Sequence, residues 1–194
     1  GNIDVEFMKG LTNETSTGRK SFDNVSGQGK WNIHPAFNYG TAVSGLWVAK
    51  FEASNGSGKI KVEPGVQSWR SITVNDIYTN CLNYNKTLNS HMMKNDEWGA
   101  VAYLSKSRYG KSAEVDRNGN SSYYTGGGSG NAYVNNVGQS TTGTVYGAYD
   151  MSGGAWEYVA AYVDNGDSNL TSYGSSLVNG DAKVKNVYTR GNRK

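Results

Sequence analysis

The residues that could do chemistry in this chain of 194 residues are few and widely separated. One cysteine, Cys81, and two histidines, His34 and His91, make up the whole supply of thiol and imidazole groups. A single cysteine excludes an intrachain disulfide and a zinc site built from several thiolates. Neither histidine stands at a spacing typical of metal ligands, so we expect both to have structural roles.

Two carboxylates in the run VYGAYDMSGGAWEY, residues 145–158, could carry acid–base chemistry. One interpretation of Asp150 and Glu157 is the acid pair of a glycoside hydrolase, in which one carboxyl protonates the leaving group. The alternative is that both are anchors, because a carboxylate in a packed, glycine-rich loop needs hydrogen-bond donors. We favour anchoring, expect Trp156 and Glu157 to be buried, and name Glu52 as a further buried acid.

Several other kinds of site are excluded or disfavoured by the sequence. No Gly-x-Ser-x-Gly motif of a serine hydrolase is present, and the glycine-rich run 126–130 lacks the Lys-Ser/Thr of a phosphate-binding loop. The net charge is +3 with no stripe of Lys and Arg, which disfavours a nucleic-acid partner. No apolar run approaches the ~20 residues of a membrane-spanning helix.

Two loops carry alternating oxygen side chains of the kind that bind calcium. Asp116, Asn118 and Asn120 form the first set, and Asp164 and Asp167 belong to the second. Neither set fits the twelve-residue calcium-loop pattern, and turns rich in Asp and Asn are commoner than calcium sites. A structural calcium ion and ordinary turns both stay open as interpretations, and we expect no other cofactor.

The strand patterns are short and lie in the first third of the chain. Alternation predicts strands over Ile3–Phe7 and, most strongly, over Gly45–Glu52. Asn55–Gly58 has the composition of a hairpin turn, with Lys59–Val62 as the returning strand.

Two helices are predicted in the middle of the chain. Thr73 is a plausible N-cap of a helix that runs to about Leu88, with one apolar face formed by Ile77, Cys81, Tyr84 and Leu88. Cys81 on that face is interpreted as a buried small hydrophobe. The second helix is predicted over Asn95–Ser105, with Trp98, Val101, Ala102 and Ser105 on one face.

The stretch Lys111–Thr144 is rich in glycine and polar residues and is predicted to be a long, partly mobile loop. Tyr123, Tyr124 and Tyr133 are expected to be exposed there among Ser, Gly and Asn. This composition is typical of adaptable binding loops, and it equally suits an ordinary solvated loop.

Four blocks resemble, in order, the formylglycine-generating enzyme (sulfatase-modifying factor) family. They are GLWVAKFE at 45–52, PGVQSW at 64–69, MMKNDEW at 92–98 and YGAYDMSGGAWEY at 146–158. The resemblance implies an irregular, glycine-rich α+β fold of C-type-lectin-like topology, with two helices and small antiparallel sheets. Its structural signature falls on Tyr146, Gly147, Asp150, Met151, Gly153, Trp156 and Glu157.

The chain also departs from the resembled family. That family's copper-dependent oxidation uses a pair of cysteines, whereas this chain has only Cys81. Lys94 replaces a helix-capping Thr, so Asn95 is expected to cap the second helix. The family's Arg-Gly-Gly-x-Trp run has no counterpart. We therefore expect residues 1–30 to form a strand and polar arm, and 31–194 a C-terminally shortened, non-catalytic domain.

The sequence supports three hypotheses of function. The first is a recognition protein for a protein or glycan ligand, located outside the cell, on a bacterial surface or on a virion, such as a pilus, fibre or tail component. The second is a self-assembling filament or virion subunit. The third, disfavoured by the single cysteine, is a copper- and thiol-dependent oxidase. The chain begins with Gly1, as a mature product would after loss of a targeting segment.

Overall fold

A computed structural model describes residues 6–8, 31–37, 45–159, 162–163 and 187–188. The chain divides into two compact units, residues 1–47 and residues 48–194. Within the described ranges, no helix combines the length and the apolar character needed to cross a membrane. The boundary expected at residue 30 stays a prediction.

The first unit contains an antiparallel ribbon of two strands, β1 (Glu6–Met8) and β2 (Trp31–Ile33), in which Glu6 lies opposite Ile33. The strand predicted over Ile3–Phe7 overlaps β1, and its first residues lie outside the described part. A 3₁₀ turn follows at Pro35–Phe37. His34 Nδ1 accepts a hydrogen bond from the N–H of Ala36 at 3.2 Å, so this histidine has the structural role expected of it.

The segment at 45–52 was wrongly predicted to be a strand. No residue of 45–52 belongs to a sheet. Its backbone makes isolated hydrogen bonds instead: the carbonyl of Lys50 accepts from the N–H of Tyr149, at 2.8 Å. The side chains alternate as in a strand. The segment beside them, around Tyr149, is however an irregular loop, and it cannot supply the regular ladder of backbone hydrogen bonds that a strand needs.

The hairpin predicted next is confirmed. Strands β3 (Ser54–Asn55) and β4 (Ile60–Lys61) pair in antiparallel fashion. Asn55 Oδ1 accepts a hydrogen bond from the N–H of Gly58 at 2.7 Å, which holds the turn. This is the side-chain-to-backbone bond that makes Asn favourable at the start of a turn.

Helix α1 (Val74–Tyr84) has the predicted N-cap, because Thr73 Oγ1 accepts from the N–H of Asp76 at 3.1 Å. The helix is shorter than predicted. Asn85 is extended, with φ −154°, and a 3₁₀ turn at Lys86–Leu88 follows. The predicted apolar face is correspondingly wrong at its end: Tyr84 and Leu88 are exposed, whereas Tyr78 is buried in a cluster with Met92.

Helix α2 (Asn95–Leu104) confirms the second helix prediction. Its cap is Lys94 and not Asn95, which is the first helical residue. The carboxylate of Glu97 accepts from the N–H of Lys94 at 2.8 Å, so a side chain three residues later satisfies the cap backbone. Val101 and Ser105 of the predicted face are buried.

The stretch predicted as a long loop is a packed part of the core. It contains 3₁₀ turns at Thr125–Gly127, Ala132–Val134 and Val137–Gln139. Thr125 is fully buried, and its hydroxyl donates to the carbonyl of Glu63 at 2.8 Å. The prediction was wrong because it considered only the low aliphatic content. The buried residues of this stretch are hydrogen-bonded polar side chains, which include Ser140 and Thr141.

A further pair of two-residue strands, β5 (Tyr162–Val163) and β6 (Val187–Tyr188), is parallel. The expectation of small antiparallel sheets holds for the first two pairs and not for this one. Two α-helices together with small two-stranded sheets make the described chain an α+β protein.

Candidate functional site

Asp150 is the central anchor of the loop at 145–158. It is 1% exposed and has a positive φ of 62°, which is uncommon for a residue with a Cβ. Both carboxylate oxygens lie 3.0 Å from the N–H of Gly126, and Oδ1 accepts from Asn118 Nδ2 at 2.9 Å. Burial raises the pKa of Asp150 despite these hydrogen bonds. Its role is the anchoring expected from the sequence.

The first predicted calcium set has protein partners for its oxygens. Asn118 Oδ1 accepts from the N–H of Asn120, and Asn120 Oδ1 accepts from the N–H groups of Ser122 and Tyr124. Asp116 Oδ1 pairs with the Lys111 ammonium at 3.0 Å. Asn118 and Asn120 therefore form successive Asx turns and Asp116 an ion pair, so these oxygens are already used by the protein.

No cluster of three or more His, Cys, Asp and Glu within the described residues is arranged to hold a metal ion. The second predicted calcium set, Asp164 and Asp167, lies outside those residues. Calcium binding there stays a prediction.

Tyr133 was predicted to be an exposed binding residue and instead completes an aromatic cluster. Its ring packs against Phe51 at 5.3 Å and against Tyr149 at 5.7 Å, in edge-to-face geometry. The Lys50 ammonium lies 4.9 Å from the Tyr133 ring centroid and within 6 Å of the other two. The three rings therefore already hold a cation of the protein itself, the Lys50 ammonium group.

The other two tyrosines of the predicted binding loop are half-buried as well. Tyr123 has a φ of 59°, and the Arg70 guanidinium lies 4.1 Å from the centre of its ring. Tyr124 forms a backbone bridge with Gln67. The composition is typical of adaptable contacts, but the ring of Tyr123 and the backbone of Tyr124 hold the loop onto the preceding segment.

An apolar pocket of about 220 Å³ lies between α1, α2, the hairpin and the loop at 145–158. Its wall is built by separate stretches of the sequence and includes Ile60, Ile72, Ile77, Met92, Trp98 and Trp156. Two carboxyl groups, Glu52 and Glu157, also line it, and no Lys, Arg or His is among the described lining residues. Sequence reasoning missed this pocket because no local motif encodes it.

Glu52 gives the pocket its most unusual polar group. Its Oε2 accepts a very short hydrogen bond from the Ser68 hydroxyl and a longer one, 3.4 Å, from the N–H of Ala155. Its Oε1 is buried and has no hydrogen-bond partner among the described residues. An unsatisfied buried acceptor costs about 1–3 kcal/mol, so a donor that reached it would be favoured.

The surroundings of Glu52 disfavour its ionised form. Burial raises its pKa to about 7, with Asp150 and Glu157 adding repulsion, while the Ser68 hydrogen bond opposes the shift. Gly154 makes room for the carboxylate. A Cβ at this position would lie 3.0 Å from Oε2, and the backbone φ of 70° also favours glycine.

Trp156 and Glu157 correct the expectation that the end of the loop is buried. Trp156 is 90% exposed and Glu157 is exposed, as are Tyr146 and Tyr158. The positive φ values of Gly153 and Gly154 turn the chain immediately after the buried Asp150 and Met151. Residues 156–158, which follow the turn, therefore form the exposed rim of the pocket and do not belong to the core.

Glu157 is nevertheless held in place. Its Oε2 accepts from Trp98 Nε1–H at 2.7 Å, which joins the rim to α2. Although the residue is exposed, protein atoms around its carboxyl group desolvate the charge and raise its pKa, with repulsion from Asp150 acting in the same direction.

Cys81 and His91 are both held by the protein around them. Cys81 is half-buried on α1 at the pocket wall, and burial raises the pKa of its thiol to about 11. It is therefore a thiol and not a nucleophilic thiolate at neutral pH. His91 Nε2 lies 2.9 Å from Glu97 Oε1, and its Nδ1 lies 2.9 Å from the carbonyl of Asn89, so it braces the start of α2.

Comparison of the chain with models of known protein families gives no match, and a search of curated proteins gives none either. The pocket therefore carries the functional conclusion. Its polar groups converge from residues far apart in sequence: Glu52, Ser68, Glu157 and the backbone of Ala155. Of these, the sequence signalled only the two glutamates.

Proposed function

We propose that this protein is a non-catalytic recognition protein that binds its partner at the apolar pocket. The observation that carries this proposal is an open apolar wall that contains a buried carboxylate oxygen without a partner among the described residues. Ligand sites are typically concave and apolar with a few placed polar groups. The exposed indole of Trp156 at the rim is the type of side chain that dominates binding energy at interfaces.

We further propose that the scaffold is of the C-type-lectin-like, sulfatase-modifying-factor kind. The α+β composition, the two helices and the buried hydrogen bonds that Asp150 accepts from Asn118 and Gly126 support this assignment. On such a scaffold the ligand is a protein or a glycan, and the protein acts outside the cell, on a bacterial surface or on a virion. The location and the class of ligand rest on the resemblance of the four sequence blocks.

The absence of catalysis is part of the proposal. The chain has one cysteine, and the resembled oxidases use two. Burial also holds the pKa of Cys81 near 11, which disfavours the thiolate that copper–thiol chemistry requires. A glycoside hydrolase would need one carboxyl placed as the acid, whereas Asp150 is 1% exposed and bonded on all sides to the protein.

Self-assembly is the second candidate function. It is favoured by the exposure of three aromatic residues of one loop, Tyr146, Trp156 and Tyr158, which are 87%, 90% and 51% exposed. Exposed apolar surface of this kind is buried in many homomeric interfaces.

Binding of a neutral aromatic probe tests the proposed pocket. We expect 3-phenylpropan-1-ol to shift the indole N–H resonance of Trp98 in a saturable manner, because the indole lines the pocket. Ala53→Trp, which places a large side chain at the pocket wall, should abolish the saturable shift. Ala113→Trp is the matched control, since Ala113 is exposed and does not line the pocket. Binding that is unaffected by Ala53→Trp would overturn the proposal.

A further inference from the structure

We infer that the pocket is selective for a lysine side chain of a partner protein, with the ammonium group directed at Glu52. This inference rests on the proposed function, since it names the chemical group that the same pocket takes. The size of the pocket is the first argument. About 220 Å³ is less than the roughly 300–1,000 Å³ of sites for drug-sized ligands, and it suits a group the size of one side chain.

The charge of the pocket is the second argument. Glu52 and Glu157 line it, and Asp150 is close enough to raise the pKa of both. No cationic side chain is found among the described lining residues. A cation would relieve the repulsion among these carboxylates, whereas an anion would increase it.

The third observation is that the two carboxylate oxygens of Glu52 differ in their hydrogen-bond partners. Oε2 is used by the protein, because it accepts from the Ser68 hydroxyl and from the N–H of Ala155. Oε1 is buried and has no donor among the described residues. A lysine ammonium carries donors only, so it can satisfy this oxygen and pair with the charge at once.

The apolar wall is the fourth argument, because it distinguishes lysine from a small inorganic cation. Ile60, Ile77 and Met92 offer contact for a chain of methylene groups. Trp98 and Trp156 also line the pocket, and indole faces attract an ammonium group. Lys50 already shows this preference within the protein, since its ammonium sits among three aromatic rings.

The expected pH dependence follows from the groups around Glu52. The nearby titratable groups are the carboxyls of Asp150 and Glu157 and, at the pocket wall, the phenols of Tyr149 and Tyr158 and the Cys81 thiol, whose pKa is about 11. Ionised Glu52 binds a cation better than neutral Glu52 does. Because its pKa is about 7, lysine binding should strengthen as the pH rises through 7.

A matched pair of peptides tests the inference. Acetyl-Ala-Lys-Ala-amide is titrated against acetyl-Ala-norleucine-Ala-amide, which has a similar apolar chain without the charge, using the Trp98 indole resonance as the readout. At pH 8.5 we expect the lysine peptide to bind at least tenfold more tightly, and at pH 5.5 we expect this ratio to fall below threefold.

Variants assign the selectivity to Glu52. Glu52→Gln should remove the tenfold preference at pH 8.5, so that the lysine and norleucine peptides bind with similar affinity. The control is Glu63→Gln, because Glu63 pairs with Lys61 at the surface and does not line the pocket. It should keep the full preference.

The outcomes separate the two proposals. Equal binding of both peptides to the wild type would overturn lysine selectivity and leave the pocket as a binding site. Failure of both peptides and of 3-phenylpropan-1-ol to bind would overturn the proposed function itself. Binding of 3-phenylpropylamine without binding of the lysine peptide would show that the cation comes from a small molecule, which contradicts a protein partner.

Discussion

Glu52 connects the stability of this protein with its proposed function. One carboxylate oxygen ties the segment at 48–53 to Ser68 and Ala155, and the other is buried without a partner among the described residues. Buried polar groups are nearly always satisfied, and exceptions tend to mark functional sites. This contrast within one side chain is what sets Glu52 apart from the structural acid Asp150.

The raised pKa of Glu52 predicts a particular dependence of stability on pH. A folded-state pKa of about 7 exceeds the ordinary value of 4.5, so the folded state binds the proton more tightly than the unfolded state does. The stabilisation is present below pH 4.5 and is lost as the pH rises through 7. For wild type relative to Glu52→Gln, we expect the free energy of unfolding to fall by about 1–3 kcal/mol between pH 4.5 and 8.

Urea denaturation of both proteins at several pH values measures this difference. Other titrating groups are common to wild type and variant, so the difference between the two curves isolates Glu52. A difference that does not change between pH 4.5 and 8 would contradict the raised pKa.

At the scale of elements, the loop at 145–158 is organised by its glycines. Asp150 and Met151 are buried, and the chain then turns at Gly153 and Gly154, both with positive φ. The turn places Trp156 at the rim of the pocket and brings the backbone of Gly154 against the Glu52 carboxylate. One short element thus holds the core and shapes the pocket.

Gly154→Ala tests this arrangement. The added Cβ would lie 3.0–3.1 Å from the Glu52 oxygens, and alanine disfavours the φ of 70°. We expect a loss of roughly 1–3 kcal/mol in the free energy of unfolding, measured by urea denaturation. Gly119→Ala is the control, because an added Cβ there meets no atom within 4 Å, and its effect should stay within about 0.5 kcal/mol. Equal effects of the two substitutions would argue against a constrained Gly154.

Local elements were predictable where a few neighbouring residues decide the structure. The Thr73 cap, helix α2 and the turn at Asn55–Gly58 all depend on hydrogen bonds within three or four residues, which the sequence displays. The strand predicted over Gly45–Glu52 failed because a strand also needs a partner. No pattern within the segment states what lies beside it.

The pocket could not be predicted for the same physical reason. The sequence singled out Glu52 and Glu157 as acids, although Glu157 was expected to be buried, and it placed Trp98 on α2. It could not show that the turn at Gly153–Gly154 leaves Trp156 exposed, because burial depends on how distant segments pack. The tyrosines of the loop at 111–144 were predicted to be exposed but are half-buried. Arg70 packs on the ring of Tyr123 and Lys50 on the ring of Tyr133, and both cations lie far away in sequence.

At the scale of the whole molecule, the exposed rings of Tyr146, Trp156 and Tyr158 bind either a different protein or another copy of this chain. We expect wild type and Trp156→Ala to sediment as monomers at 5–100 µM, because the recognition hypothesis assigns this rim to a different protein. Analytical ultracentrifugation measures this directly. Concentration-dependent assembly that Trp156→Ala abolishes would favour the filament hypothesis instead.

A crystal structure of the protein with acetyl-Ala-Lys-Ala-amide at pH 8.5 shows directly whether the pocket takes lysine. We expect a lysine side chain in the pocket, with its nitrogen about 2.7–3.2 Å from Glu52 Oε1 and its methylene groups against Ile77 and Met92. A peptide bound at another surface, with the pocket empty, would contradict the claim that this pocket is the recognition site.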